Sequence, residues 1–147
     1  MITIKYPVAL IATFLWIGFV CAISFMEAWL KFRAPGVTLP IGLGIGRLVF
    51  SALNKVEWVF AFAIIGSLLL SKYPFFTFQN ALYFMPLILL AIQTVWLLPA
   101  LDARAVLHIQ GQVVPPSNLH FFYIGIEVIK VIFLTIFGTT MFKLITI

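Results

Sequence analysis

The chain has 147 residues, of which 64% are hydrophobic and 9% are charged. A soluble domain carries about 45–50% apolar and about 25% charged residues, so this composition excludes a soluble globular fold and leaves apolar surface to face lipid. The net charge of +5 is spread singly near the ends of apolar runs, which favours membrane lipids over nucleic acid as partners.

Crossing the hydrocarbon of a bilayer takes about 20 mainly apolar residues in a helix. Four stretches meet that length: about 6–32, 43–70, 78–108 and 118–142. Lys5 ahead of the first run resembles a signal peptide, but the run is too long for an h-region and lacks a clean small-x-small end, so an uncleaved first span is expected. Cys21 sits inside this run and reads as a small buried hydrophobe; as the one cysteine it cannot form a disulfide within the chain. Ala34-Pro35-Gly36 ends the first span, and Pro40 to Gly46 reads as a glycine-rich entry to the second. Ser71 to Pro74 turns into the third span, where Pro86 and Pro99 predict kinks. Gln110 to Ser117, with Pro115-Pro116, leads to the fourth.

Such short connections favour antiparallel neighbours, so the expected fold is all-α: an integral membrane antiparallel four-helix bundle forming a single transmembrane domain over 1–147. Transmembrane strands are not expected, because an open sheet leaves backbone groups unsatisfied in lipid. Lys31, Arg33, Arg47 and Arg104 lie toward the first and third loops, against Lys5, Lys72 and Lys143 toward the other side. The positive-inside rule then places both termini on the non-cytoplasmic side of a plasma or bacterial inner membrane.

The chain has four acidic residues, one per expected helix: Glu27, Glu57, Asp102 and Glu127. With alternating helix directions, each falls roughly 9–16 Å inside its helix end, toward the first and third loops. Ionisable groups in a span are costly and face the interior or a watery cavity, so four at one level predict a shared polar site. Asn54, Arg47, Arg104, Tyr123 and Lys130 are candidate ligand-binding residues around it. Glu27, Glu57, Asp102, His120 and Glu127 form a candidate metal set suited to a hard or borderline ion, although the Glu-x-x-His pairs of di-metal bundles are absent. The competing reading is internal charge neutralisation: Glu27 with Lys31 at i+4 and Glu127 with Lys130 at i+3. Glu57 has no opposite charge on its own helix face and requires a tertiary partner. Gln93 is a deeper candidate contributor. Trp16, Trp29, Trp58 and Trp96 read as lipid-facing or packing groups. The three glycines at 42, 44 and 46 lack the preceding strand and the Lys-Ser/Thr of a phosphate loop, so close helix packing or a flexible entry into the second span is expected there.

The stretch Gly42 to Glu57 resembles that of the four-helix membrane proteins related to transmembrane protein 205. The same resemblance runs through Phe32-Arg33-Ala34-Pro35, Gly46 to Phe50, Trp96-Leu97-Leu98-Pro99 and His120-Phe121-Phe122-Tyr123. It implies a four-helix topology and carries no established reaction. A second, shorter resemblance is carried by Asn54-x-x-Glu57. It is similar to the Arg-Ala-x-x-Asn-x-x-Glu stretch with which membrane-associated glutathione and eicosanoid enzymes hold glutathione. Phe50 and Ser51 stand at its Arg and Ala positions, and Arg47 lies about one turn earlier.

The expected function is therefore a four-span protein with a carboxylate and histidine site in its cytoplasmic half, binding an ion, metal, proton or small polar headgroup. The alternatives are a membrane enzyme acting on a lipophilic substrate, dependent on glutathione or a metal, and a small structural subunit of a larger membrane complex. A homo-oligomer is compatible with each. No organic cofactor is named by the sequence, and no nucleophile with an adjacent His-Asp pair is visible.

Overall fold

A computed structural model describes residues 2–144. It is all-α, with four long apolar helices: α1 (Pro7–Arg33), α2 (Leu39–Leu69), α3 (Phe78–Ile109) and α4 (Leu119–Thr140). Short strands β1 (Ile2–Ile4) and β2 (Phe142–Leu144) flank them and pair antiparallel, Ile4 opposite Phe142. The Lys5 amide extends this clasp by donating to the Met141 carbonyl at 3.2 Å. The beginning of α1 and the end of α4 are thereby tied together.

Local chemistry sets the helix ends. Proline occupies the first turn of α1 and of α2, where its missing N–H costs nothing and its fixed φ suits the helix. The Thr77 hydroxyl caps α3 by accepting from the Asn80 amide at 3.1 Å. Gly36 (φ 81°) and Gly111 (φ 75°) follow α1 and α3 in the left-handed conformation that a side chain disfavours.

The glycine-rich entry to the second span, Pro40 to Gly46, is helical and forms the first turns of α2. Of the two expectations for its glycines, close packing is the one found. The Phe32 ring occupies the space a Cβ on Gly42 would take, and the Lys31 ammonium crosses beside Gly46. The end of α1 thus lies directly on the backbone of α2.

Two helices contain wide turns: α1 is π-helical over Cys21–Glu27 and α3 over Gln93–Leu97. The second precedes Pro99, whose ring nitrogen cannot donate to the Val95 carbonyl; a π-turn absorbs that missing bond. Before this turn α3 packs on α4, and after it α3 leans on α2. Helix α1 packs on both α2 and α4.

The apolar core gathers toward the clasp around Tyr6, Trp16, Ile64, Leu68, Tyr83, Leu90, Leu134 and Phe137. The outer surface is apolar as well: Phe78 is 85% exposed, Val95 79% and Leu48 75%. Cys21, expected to be buried, is also exposed on this surface. An apolar residue here meets either core or exterior, so hydrophobicity alone does not locate the thiol.

Candidate functional site

The four carboxylates do not gather at one shared site. They separate into a buried pair and two outlying partners of single cations. Glu57 on α2 and Glu127 on α4 are both fully buried, as is Lys130, which lies between them. The Lys130 ammonium donates to Glu57 Oε2, to Glu127 Oε1 at 3.1 Å and to Gln93 Oε1 at 2.5 Å. Gln93 in turn donates from Nε2 to Glu127 Oε1 at 2.5 Å. Trp16 on α1 donates its indole N–H to Glu57 Oε2 at 2.6 Å. All four helices therefore contribute one polar side chain or more to a single network. The tertiary partner that Glu57 requires is Lys130, which also makes the expected i+3 pair with Glu127.

The other two pairs are simpler. Glu27 meets Lys31 one turn on at 3.3 Å. Asp102 on α3 holds Arg47 on α2 through two bonds, Nε to Oδ1 at 2.5 Å and Nη2 to Oδ2 at 3.0 Å. This planar two-bond pairing fixes the guanidinium more firmly than a single contact would. The same bond ties α2 to the second half of α3.

Between these pairs and the buried network lies a cleft of about 690 Å³. It opens where α3 has turned away from α4 after its wide turn. Its apolar walls include Phe32, Leu43, Phe50 and Leu98, and its polar lining includes Lys31, Arg47, Asn54, Lys55, Asp102, His120 and Tyr123. The Lys31 ammonium lies 5.4 Å from the ring centroids of both Phe32 and Phe50. Among the described residues, Lys55 makes no ion pair. On the floor, Asn54 donates to Thr94 Oγ1 at 2.9 Å, as does the Trp58 indole. The Tyr123 ring packs edge-on to Phe50 at 5.3 Å. Asn54 precedes Glu57 by about one turn of α2, and Tyr123 precedes Glu127 by about one turn of α4, so the floor of the cleft adjoins the buried network.

The candidate ligand-binding residues thus fall in three places. Arg47, Asn54 and Tyr123 line the cleft, while Glu57 and Lys130 lie in the network beneath it. Arg104 faces neither; it donates to the Pro115 carbonyl and holds the loop between α3 and α4. Of the candidate metal set, Asp102 and His120 line the cleft, Glu57 and Glu127 are below it, and Glu27 pairs with Lys31 outside it. Among the described residues, no group of three or more His, Cys, Asp or Glu comes together to hold a metal ion.

Trp16, Trp58, Thr94 and Lys55 are participants not expected from the sequence. Trp16 carries a signal that could have found it. An indole N–H deep in an apolar span needs an acceptor, and few were available. Comparison with protein-family models, curated proteins and solved structures found no match, so the geometry alone carries the reading that follows.

Proposed function

We propose that this chain is an integral membrane protein whose cleft receives the headgroup of an anionic amphiphile. Its four helices would span the bilayer in alternating directions, with the clasp holding both termini on one side. The inversion of polarity supports the embedding: Glu57, Glu127 and Lys130 are buried while Phe78, Val95 and Leu48 are exposed. Helix lengths of 22 to 32 residues exceed what the hydrocarbon requires. By the positive-inside rule, the cleft would open toward the cytoplasm.

The observation that carries the ligand class is the cleft lining. Apolar walls suit an acyl chain. Lys31, Arg47 and Lys55 set three cations against the one lining carboxylate, Asp102. Asp102 occupies two donors of Arg47 and Glu27 engages Lys31, leaving Lys55 and the remaining guanidinium N–H groups for an anion. A phosphate or carboxylate headgroup matches that donor set, and a zwitterion matches it less well.

Native mass spectrometry of the purified full-length protein tests the reading. Phosphatidylglycerol and phosphatidylcholine with identical acyl chains would be offered at equal concentration. Selective retention of one phosphatidylglycerol, lost in the Arg47→Ala, Lys55→Ala double variant, is the expected result. Equal retention of both lipids, or selectivity that survives the double substitution, would sink the idea.

A further inference from the structure

The buried network is not electrically complete. It contains two carboxylates and one ammonium, all at 0% exposure, so one negative charge has no ionic partner among them. Hydrogen bonding shows the same deficit at atomic level. Among the described residues, Glu57 Oε1 and Glu127 Oε2 are buried without a partner, as is the Ser24 hydroxyl. The opposite oxygens, Glu57 Oε2 and Glu127 Oε1, are by contrast crowded with donors.

The groups facing the two carboxylates can be named helix by helix. Helix α1 presents Trp16, α3 presents Gln93, and α4 presents Lys130, with Tyr123 one turn before Glu127. Lys130 is the one cation among these, and it is already shared by both acids. A buried uncompensated charge is strongly unfavourable in a low-dielectric interior. A metal ion would need more oxygen ligands than the two unpartnered carboxylate oxygens. A proton needs one.

We propose that this network is a binding site for a single exchangeable proton, held by Glu57 or Glu127. The step balances simply: a hydronium ion in the cleft gives its proton to a carboxylate oxygen, leaving water and a neutral carboxylic acid, and the proton leaves by the reverse path. Tyr123 is the connecting group, because it lines the cleft and precedes Glu127 by four residues on the same face of α4. It passes its phenolic proton to the carboxylate and takes one up from hydronium in the cleft, leaving water. The site does not depend on what occupies the cleft above; the route needs only water at the cleft floor.

Infrared spectroscopy of the full-length protein in lipid nanodiscs at neutral pH provides the test. The expected signal is the C=O stretch of a protonated carboxylic acid, shifted by carbon-13 at glutamate carboxyls and unmoved by the same label at aspartate. This labelling uses the native sequence, so it does not depend on any variant folding. The band should be lost in the Glu57→Gln, Glu127→Gln double variant. In Tyr123→Phe it should persist but exchange with deuterium at least tenfold more slowly. Absence of the band, its assignment to aspartate, or its survival in the double variant would overturn the site. A band that disappears when choline is replaced by sodium would assign the missing charge to sodium and overturn the proton. Unchanged deuterium exchange in Tyr123→Phe would overturn the route.

Discussion

Two ion pairs join α2 to other helices, and they differ in almost everything except chemistry. Arg47 meets Asp102 with both side chains more than a third exposed, while Lys130 meets Glu57 and Glu127 with all three sealed. The exposed pair has two parallel bonds and no further obligations. The sealed one recruits Gln93 and Trp16 and still leaves an oxygen of each acid without a partner. Solvation explains the contrast. At an exposed pair, water takes up whatever the partner does not satisfy, so breaking it changes stability little. At a sealed pair nothing else is available, so the loss of one member strands the others. The first pair is accordingly free to serve a ligand, and the second is committed to its neighbours.

Removing Lys130 should break that commitment most severely. Lys130→Met keeps much of the side-chain length and leaves two buried carboxylates without a cation. Breaking a buried pair costs about 3–5 kcal/mol in soluble proteins, and a similar loss is expected for unfolding in detergent micelles. The triple variant Lys130→Met, Glu57→Gln, Glu127→Gln should recover most of it, because no buried charge remains. If the triple variant is as unstable as the single one, the cost lies in packing rather than in charge.

Trp16→Phe should have a smaller effect. It deletes the indole N–H donated to Glu57 Oε2 but leaves the Lys130 bond to the same oxygen. Loss of one hydrogen bond to a buried charged group costs about 1–3 kcal/mol. Combining it with Glu57→Gln separates the two contributions, since the substitutions should be less than additive if the bond is the coupling. Strict additivity would show that Trp16 acts only by filling space.

These residues also show what the sequence could and could not reveal. The helices were legible because a stretch of about 20 mainly apolar residues is what a bilayer span requires and what a soluble helix seldom has. The carboxylates stood out because they are rare in such runs, but their expected gathering at one site was not met: Glu57 and Glu127 share Lys130, while Glu27 and Asp102 pair elsewhere. The need of Glu57 for a partner on another helix was equally clear. The partner itself was not, because that depends on how α1, α2 and α4 are rotated about their axes. The π-helical turns at Cys21–Glu27 and Gln93–Leu97 shift the faces of α1 and α3 by amounts a regular 3.6-residue period cannot supply. Trp16 and Gln93 lie just before and at the start of those turns. Their inward direction is therefore a tertiary fact. Likewise, close packing at Gly42 and Gly46 was legible, but the Phe32 ring and Lys31 as the groups packed there were not.

The least change in stability is expected at the exposed pair, and that makes it the best probe of the cleft. Asp102→Asn removes the carboxylate that engages Arg47 while keeping the side chain's shape. Thermal unfolding of this variant should be indistinguishable from that of the parent, because water replaces the lost contact. Its charge effect runs the other way from Arg47→Ala: it leaves the guanidinium free and makes the cleft more cationic. Retention of phosphatidylglycerol should therefore increase, with a steeper dependence on salt, while Arg47→Ala reduces it. If the two variants instead lower retention equally, the pair contributes by fixing α2 against α3 rather than by presenting charge, and the cleft's selectivity must come from its walls.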